Sequence, residues 1–544
     1  MSHPPIASFE SIAVPKSLLG LSAFLSVFYF TWWLDFSHAG AWTLYGALFA
    51  GEIYHVWQSL AYIHTIWDQK PFRRETVGKN TPPVDIFITV CGEPVSIVEK
   101  TVEAALALHY PNFKVWVLND GFVAKKENWR EIEELAKLLG ANVITRKTPG
   151  GAKAGNVNNA LRTTPAEFFA LFDADHVPHP EFLQRTMGYF RDEKMAFVQT
   201  PQYYKNKDKS LLTFSAWEQQ ELFFGPICQG KNRLNATFWC GTNAVIRKKA
   251  VYDIGGIPEN NIAEDFLASL FMHQKGWKSL FVPDILAEGL APADLKSYWN
   301  QQFRWARGSL EVIFKYNPLF HRGLTWAQKS QYLYSAGYYL NGIVVLIDAV
   351  VPIAVLFTNT LPVEDTTSNF IAYFFPFIFT TLYLLMRSTN YTITFRAIQL
   401  TMSSFFVFFL AALAAITGKK TPFRVTLKTE REGNYLIYAL PSIVYGCIGA
   451  GAIVYAVMTR GFAPSVITNS AWIVFNIVFF FPFILHAYPW RSRARDFGAF
   501  FKKGSRGRFA LAPASLPNPV KPLSPFELPE ESQEREAGGI QTID

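Results

Sequence analysis

The chain has 544 residues, of which 50% are hydrophobic, 16% are aromatic and only 17% are charged. A typical domain takes on the order of 100 to 200 residues, so a single domain does not account for this length. The net charge of +8 comes mainly from basic residues beside apolar runs, where the positive-inside rule explains them without a nucleic-acid partner. The four cysteines show no CxxC spacing, which argues against a zinc site and a disulfide framework. These properties predict a polytopic membrane protein.

Two apolar runs open the chain, near residues 17–36 and 42–62. Each is long enough to cross a bilayer, because a helix needs about 20 residues to span roughly 30 Å of hydrocarbon. Neither has the cleavage pattern of a signal peptide. In the second run Glu52, His55 and Gln58 recur at helical spacing, so we expect them to face other helices, most simply as an interhelical contact. Residues 1–70 are thus predicted to form a region with two transmembrane helices.

From residue 81 to residue 319 the pattern changes to short β-rich runs that alternate with helical stretches. The predicted strands are VDIFITV, KVWVLND, ANVIT and EFFALFDAD. This alternation is typical of an α/β domain with a mainly parallel sheet. It predicts a large extramembrane domain between two groups of apolar helices.

Apolar spans return near residues 338–357, 370–385, 438–458 and 472–488, and the run 398–416 is also apolar. The loop 359–368 has no Lys or Arg, whereas residues 387–431 and residues 491–508 carry seven each. Both basic stretches belong on the cytosolic side, which requires that residues 398–416 form an interfacial or re-entrant helix. We therefore predict six spans, with both termini and the α/β domain in the cytosol. The stretch after about residue 510 is rich in Pro, Ser and Glu and is predicted to be disordered.

Two carboxylates, Asp173 and Asp175, directly follow the predicted strand FFALF. Ligands of open α/β sheets bind at the carboxyl ends of the strands. Paired hard oxygen ligands suit Mg²⁺ or Mn²⁺ with a diphosphate, although an isolated DxD also occurs in solvated turns. The position after a buried strand favours the metal interpretation.

Other carboxylates occupy similar positions. Asp120 ends the strand in VLNDG, and Glu264 and Asp265 open the helical stretch AEDFLASLFMHQKG. Each can be an ordinary helix N-cap. A carboxylate a few Å from a diphosphate can also act as a general base toward a hydroxyl, and Asp265 is the candidate for that role.

Two further segments combine basic residues with aromatic residues or glycines. The stretch LKSYWNQQFRWARGSLEVIFKY contains Gln301, Arg304 and Trp305. Arg304 offers a fork of donors for phosphate, and Trp305 offers a face on which a sugar ring can stack. An amphipathic helix at the membrane surface would have the same composition. The segment PGGAKAGNVNNA, with Lys153, can cradle phosphates but matches neither GxGxxG nor GxxxxGK[ST], and a flexible turn would look alike.

Taken in order, these segments resemble the family 2 glycosyltransferases, and most closely the catalytic subunits of cellulose synthases. The segments that carry the resemblance are VDIFITVCGEP, VLNDG, AKAGNVNNAL, FDADHVP, VQTPQYY, CGTNAVIR, AEDF and QQFRWARG. The resemblance implies a cytosolic, Rossmann-like GT-A domain at 81–319 and a transmembrane channel region at 320–490 with an interfacial helix and a gating-loop-like segment. Residues 491–544 would then form a basic and later disordered tail.

The resemblance also implies a role for each matching residue. Asp265 matches the general base, while Glu264 and Trp305 match acceptor contacts. Asp173 and Asp175 match the pair that holds Mg²⁺ or Mn²⁺. The implied donor contacts are Glu93, Asp120, Lys153, Asp173, Gln301 and Arg304, and the implied gating loop contains Phe423, Val425, Thr426 and Lys428.

Some positions depart from the family pattern. Ala263 stands where the base motif has threonine, and Thr429 replaces the gating-loop glycine. These departures do not change the implied reaction type, but they weaken the assignment of the product. Cellulose, a β-1,3-glucan and a mixed-linkage glucan all stay open. Bacterial cellulose synthases carry a cyclic-di-GMP-binding domain after the last span. Only about 55 residues remain here, too few for a domain of roughly 100, so we expect no such domain in this chain.

The implied function is a processive, inverting β-glycosyltransferase that polymerises a UDP-sugar, expected to be UDP-glucose, at the plasma (inner) membrane. Its expected partners are the UDP-sugar, the growing polysaccharide and the bilayer, with self-association and accessory subunits left open. Alternatives are a chitin or hyaluronan synthase and a non-processive lipid-linked sugar transferase. A transporter would explain the spans but not an α/β block with carboxylates at strand ends.

Overall fold

The computed structural model describes residues 6–9, 12–78, 81–392, 395–418 and 434–487. The chain begins with two helices and continues into a mixed α/β block. The helices up to the end of this block are α1 (Lys16–Leu34), α2 (Trp42–Ile66), α3 (Val95–Leu106), α4 (Trp129–Leu138), α5 (Ala152–Leu161), α6 (Phe182–Thr186), α7 (Leu211–Leu222), α8 (Cys228–Asn232), α9 (Lys248–Asp253), α10 (Glu264–Gln274) and α11 (Leu295–Glu311). The helices that follow are α12 (Trp326–Gly337), α13 (Asn341–Thr358), α14 (Thr367–Ser388), α15 (Phe395–Ser403), α16 (Phe405–Thr417), α17 (Leu436–Arg460) and α18 (Pro464–Ala487).

Ten short strands lie between α2 and α11 in the described part of the chain. They are β1 (Val84–Val90), β2 (Phe113–Asn119), β3 (Asn142–Thr145), β4 (Phe168–Asp173), β5 (Val177–Pro178), β6 (Met195–Gln199), β7 (Tyr203–Tyr204), β8 (Ala244–Arg247), β9 (Lys278–Phe281) and β10 (Ala287–Gly289). The first four match the four strands predicted from the sequence, so that prediction is confirmed.

Seven strands form one sheet in the order β3-β2-β1-β4-β8-β6-β9, in which only β8 runs antiparallel to its neighbours. The chain passes from β1 outward to β3 and then returns to the other side of β1 as β4. Ligands of open α/β sheets bind outside the strand ends at such a reversal. The carboxyl ends of β1, β2 and β4 therefore define the edge where a ligand is expected.

The interior strand β1 is buried on both faces, as its mainly apolar sequence requires, and its buried Asp85 is paired with Lys248 over 2.9 Å. Ile86 and Ile88 pack into the cluster on one face of the sheet. Phe87 points to the other face, where its ring lies 5.2 Å from that of Phe169. Two hydrophobic layers thus hold the strands in register and make their ends a rigid platform.

A second sheet has three strands in the order β5-β10-β7, and its first strand in the sequence, β5, lies just after β4. Strand β5 follows Asp175 after one residue, and Glu288 of β10 pairs with both Val177 and Tyr203. The backbone N–H of Leu290 then donates to the Asp175 carboxylate over 3.1 Å. The small sheet thereby anchors the segment that carries the second carboxylate of the DxD pair.

Five helices of the described chain are long and apolar enough to cross a membrane. They are α1, the continuous 33-residue stretch Trp326–Thr358 formed by α12 and α13, most of α14, α17 and α18. The bent pair α15 and α16, with an angle of 45° between its parts, makes a sixth if it counts as one span. The chain is therefore an integral membrane protein with apolar helices on both sides of the α/β block. That residues 398–416 form an interfacial or re-entrant helix and do not fully cross the membrane stays a prediction.

Helix α2 lies where the second span was predicted, although it is not among the five apolar helices. It carries the polar stripe, and His55 Nε2 lies 3.1 Å from Asp348 Oδ2 on α13. A Cβ built on Gly51 would lie 3.4 Å from Asp348 Oδ1. The stripe therefore makes an interhelical contact, as the simpler interpretation predicts. The gating-loop candidates Phe423, Val425, Thr426 and Lys428 lie outside the described residues.

Candidate active site

The carboxyl end of β4 pairs a carboxylate with a lysine. Asp173 is the last residue of β4, and Lys153 on the first turn of α5 donates to its Oδ1. Lys153 also donates to the carbonyl of Gly241 over 2.9 Å. Burial opposes both charged forms, yet the Lys153 ammonium lowers the pKa of Asp173, and Asp173 with Glu264 raises the pKa of Lys153. Both groups therefore stay charged.

Asp120, one residue after β2, forms a buried bidentate pair with Arg146. The guanidinium donates from Nε over 2.9 Å and from Nη2 over 2.7 Å. Arg146 also donates to the carbonyls of Gly150 and Ala152, at the start of α5. One side chain thus fixes Asp120 and the glycine loop together. Burial raises the pKa of Asp120, against the opposing effect of Arg146.

Asp175 and Glu93 lie beside Asp173 at the same edge. Glu93 accepts from the backbone N–H of Cys91 over 2.5 Å. Burial raises the pKa of Glu93, and the negative charges of Asp175 and Asp173 add to that rise. Asp175 Oδ1 lies 3.6 Å from Nδ1 of the buried His176. We call Glu93, Asp120, Asp173 and Asp175 the strand-end cluster.

The turn before β8 connects this cluster to α10. Thr242 accepts from the backbone N–H of Asp173 over 2.9 Å. Gly241 has φ of +81°, and a Cβ built on it would lie 2.7 Å from Asp265 Oδ2. Only glycine combines this left-handed backbone with so close an approach. Gly241 therefore brings the backbone bonded to Lys153 next to the carboxylate of α10.

Helix α10 begins with two neighbouring carboxylates. Asp265 Oδ1 accepts from the backbone N–H of Phe266 over 2.8 Å. Burial and then the charge of Glu264 raise the pKa of Asp265, while Lys153 opposes the rise. Burial raises the pKa of Glu264 as well, against Lys153. A carboxylate with a raised pKa in a partly enclosed site is suited to take up a proton.

Helix α11 carries the QxxRW residues. Its Asp294 caps the first turn by accepting from Ser297 N over 2.8 Å. Burial lowers the pKa of Arg304, and the negative charges of Asp173, Glu264 and Asp265 oppose that shift. Gln301 is buried.

Trp305, the next residue after Arg304, is half-buried. It shares α11 with Arg304, so its indole ring lies on the helix that faces the carboxylates. We call Glu264, Asp265, Arg304 and Trp305 the helix cluster.

Helix α11 and the start of α10 touch directly. A Cβ built on Gly308 would lie 2.5 Å from the Cβ of Ala263 and 2.7 Å from its nitrogen. The buried Asn261 donates to the Gly308 carbonyl over 3.4 Å and accepts from Ala263 N over 2.7 Å. Asp265 lies two residues after this contact. The spacing between Asp265 and Trp305 is therefore set by a glycine, an alanine and one amide side chain.

The two clusters together contain six carboxylates, accompanied by the cations Lys153 and Arg304, and one of the six, Asp120, is already paired with Arg146. Such a set can hold a diphosphate between the cations when a divalent cation balances the carboxylates. The described residues contain no group of three His, Cys, Asp or Glu arranged to hold a metal by themselves. Mg²⁺ in nucleotide sites usually takes one or two carboxylates and completes its shell with phosphate and water. The buried ring nitrogens of His176 make no hydrogen bond in the described chain, and an unsatisfied polar group beside Asp175 also fits a ligand there.

The sequence identified most of these side chains but not the residues that position them. It found Glu93, Asp120, Asp173 and Asp175 at strand ends and Lys153 in a glycine-containing segment, and the structure brings them to one edge. It missed a set of positioning residues: Arg146, Gly241, Thr242, Asn261 and Gly308. The sequence contained a signal for two of these residues: Arg146 directly follows β3, and Gly241 lies in the motif CGTNAVIR. The roles of all these residues stay predictions.

Residues 82–308 match the family described as "Glycosyltransferase like family 2", and residues 253–444 match the family described as "Cellulose synthase". The chain contains a family 2 glycosyltransferase domain. The resemblance seen in the sequence is thereby confirmed. This glycosyltransferase domain ends within α11, after Trp305 and at Gly308, so it includes both clusters.

Curated relatives are named as cellulose synthases. The "Cellulose synthase catalytic subunit [UDP-forming]" of Pseudomonas fluorescens (strain SBW25) is 37% identical over 327 residues, covering 58% of this chain and 43% of that protein. The protein of the same name from Komagataeibacter sucrofermentans is 30% identical over 495 residues, covering 85% of this chain and 64% of that protein. The chain thus spans less than two thirds of the length of these relatives.

The fold has a counterpart among solved structures. A mannosyltransferase from Pyrobaculum calidifontis, solved with GDP-Man and Mn²⁺, superposes with a TM-score of 0.51 at 16% identity. The match covers 69% of this chain and 100% of that one. At this identity the likeness concerns the fold alone, and it confirms the predicted Rossmann-like GT-A architecture.

Proposed function

We propose that this protein is a processive, inverting β-glycosyltransferase that uses UDP-glucose and builds cellulose. The observation that carries the proposal is the meeting of the two clusters. Lys153 donates to Asp173 at the strand end and to the carbonyl of Gly241, and a Cβ built on Gly241 would lie 2.7 Å from Asp265 Oδ2. The UDP-forming cellulose synthase relatives support the choice of donor and product.

In the proposed reaction Asp265 takes the proton of an acceptor hydroxyl. The hydroxyl oxygen forms a bond to the anomeric carbon of the donor as the bond from that carbon to the diphosphate oxygen breaks. The electron pair leaves with UDP, whose charge Lys153 and Arg304 stabilise. Attack from the face opposite the leaving group converts an α-linked donor into a β-linkage.

Divalent metal at Asp173 and Asp175 is part of the proposal. Mg²⁺ or Mn²⁺ bound there would neutralise the diphosphate. Among the protein's own groups, Glu93 accepts from Cys91 N at the β1 end and would orient the donor. Asp120, fixed by Arg146, would contact the nucleoside part of the donor. Lys153 holds Asp173 and would bind the departing phosphate.

We place the acceptor on α11 and the bundle behind it. Trp305 would stack on the terminal sugar, and another face of α11 packs on membrane helices through Ala306 against Phe408 and through Trp299, whose ring lies 5.4 Å from Tyr438. The growing polysaccharide would therefore pass from the site directly into the helical bundle, past polar groups such as Asp348. The α/β domain would lie on the cytosolic side of the plasma membrane, where UDP-sugars are available.

The direct test is a product assay. Purified protein in nanodiscs would be incubated with labelled UDP-glucose, UDP-N-acetylglucosamine and UDP-glucuronate, with Mg²⁺ or Mn²⁺ and after chelation. We expect insoluble polymer from UDP-glucose alone, degraded by an endo-β-1,4-glucanase and resistant to a β-1,3-glucanase. Resistance to the first enzyme would reject cellulose. Incorporation of the N-acetylated sugar would support a chitin or hyaluronan synthase, and transfer to a lipid without polymer would reject processivity.

A further inference from the structure

The segment between α11 and α12 exposes large apolar and basic side chains together. Phe320 is 81% exposed and Trp326 is 76% exposed, and Phe314 and Leu319 are exposed as well. Lys315 and Arg322 lie among them and are exposed. We call residues 314–326 the aromatic-basic segment. So dense a set of exposed rings in a short stretch needs an apolar partner.

The position of the segment relative to α2 indicates its depth. Gln331 of α12 donates to Thr65, in the last turn of α2, over 2.9 Å. Helix α2 begins at Trp42, and about 20 residues cross the hydrocarbon, so its last turn lies near the hydrocarbon boundary. Trp326 lies five residues before Gln331, or about 7.5 Å farther out at 1.5 Å per residue. That depth corresponds to the headgroup region, which is roughly 5 to 8 Å thick on each side.

The composition of the segment fits that layer. Tryptophan is favoured at the membrane interface, and Lys and Arg there reach the phosphates. Lys329 Nζ lies 4.9 Å from the Trp326 ring and donates to the Leu319 carbonyl over 2.7 Å, which holds the exposed rings in one place. The ammonium of Lys315 shares Glu311 with the buried Arg307, so that carboxylate is already paired.

The segment also supports the helix that carries Asp265. His321 Nδ1 lies 3.2 Å from Gln274 Oε1 at the end of α10, and the ring of Tyr316 lies 5.8 Å from that of Phe271. Farther along, Tyr332 contacts His273 over 2.7 Å and stacks edge-on against Phe266 at 5.2 Å. Helix α10 is therefore held along its length by residues 316–332.

We propose that the aromatic-basic segment binds anionic phospholipid headgroups on the side of the membrane that carries the α/β domain, and that this contact holds α10 and Asp265 in place. The occupant is the bilayer, because the segment runs directly into the candidate span Trp326–Thr358. The effect on catalysis rests on the proposed function, whereas lipid binding does not. Each basic residue near an anionic surface strengthens the contact by about fivefold.

The binding test uses a photoactivatable phosphatidylglycerol in nanodiscs of phosphatidylcholine, with cross-linked peptides identified by mass spectrometry. We expect cross-links within residues 314–326, reduced at least fivefold in the double variant K315Q/R322Q. The matched control K114Q/K137Q removes two exposed lysines from β2 and α4 and should keep the wild-type yield. Equal yields in both variants, equal labelling by a phosphatidylcholine probe, or competition by soluble glycerophosphate would overturn the proposal, as would capture of a soluble protein in place of lipid.

The coupling test measures sugar transfer in the same nanodiscs as the phosphatidylglycerol fraction rises. The rate of the wild type and of K114Q/K137Q should rise several-fold, whereas K315Q/R322Q should stay near its value in neutral lipid at unchanged KM for the donor. A lipid-independent wild-type rate would overturn the coupling. If the wild type transfers no sugar under any condition, the proposed function fails while the cross-links still decide whether the segment binds lipid.

Discussion

The strand-end cluster and the helix cluster are built by different means. Asp120 and Asp173 follow strands whose register is set by backbone hydrogen bonds and by two buried layers. Asp265 and Trp305 lie on separate helices, and their spacing depends on the contact of Ala263 with Gly308 and on α12 beneath α10. The first cluster belongs to a rigid sheet edge, whereas the second depends on how helices pack near the membrane. We expect changes in the first to affect donor binding and changes in the second to affect transfer.

Asp265→Asn should separate the two clusters most clearly. The variant keeps the shape of the side chain but cannot accept the proton, so kcat should fall by about 10³-fold. UDP binding, measured by calorimetry, should stay within about twofold of the wild type. Asp253→Asn, at the exposed end of α9, is the charge-matched control and should keep full activity. Synthesis of polymer by Asp265→Asn would reject its role as the base.

Lys153→Gln should affect the strand-end cluster. It removes the cation that bonds Asp173 and offsets Glu264, so kcat/KM for the donor should fall by about 10²-fold, with most of the loss in UDP affinity. Lys137→Gln, on the exposed surface of α4, provides the control. Unchanged UDP affinity in Lys153→Gln would show that Arg304 alone holds the diphosphate.

Gly308→Ala should affect the helix cluster without changing a polar group. The added Cβ meets Ala263 at 2.5 Å, and such overpacking costs about 1 to 3 kcal/mol. We expect kcat to fall about tenfold while KM for the donor changes little. Gly446→Ala on α17, where a Cβ meets no atom within 4 Å, should have no effect. A loss in donor affinity rather than in kcat would show that α11 also supports the strand ends.

Trp305→Ala should shorten the product more than it slows the first transfer. Loss of an aromatic platform weakens sugar stacking by roughly 1 kcal/mol, so the growing chain should dissociate several times more often. Gel filtration of the labelled polymer would then give a lower mean length at a similar rate of UDP release. Normal-length polymer would contradict the acceptor-stacking role.

The pH profile should report the coupling within α10. Because burial and Glu264 raise the pKa of Asp265, the base is protonated below that raised pKa, and activity should increase as the pH rises through it. Glu264→Gln removes the like charge and should move this acid limb to lower pH. Lys153→Gln should move the limb to higher pH, because Lys153 opposes the rise. Limbs that coincide in all three proteins would mean that another group controls the profile.

Much of the strand-end cluster could be predicted from the sequence because its positions are local. A short apolar strand followed by a carboxylate places that carboxylate at a sheet edge whatever the rest of the chain does. The runs VDIFITV, KVWVLND and FFALFDAD carried this information, and the motifs around Lys153, Asp265 and Arg304 identified the family.

Tertiary structure alone decided how these groups are held. Arg146 reaches back 26 residues to Asp120, and Asn261 reaches forward 47 residues to Gly308. Neither partner can be assigned from one sequence, because a lone arginine after a strand or an asparagine before a helix has many possible contacts. The packing of α10 on residues 316–332 is equally nonlocal, since it joins the base to the start of a membrane helix. The sequence therefore determined which groups meet a ligand, and the packing of distant helices determined the distance between them.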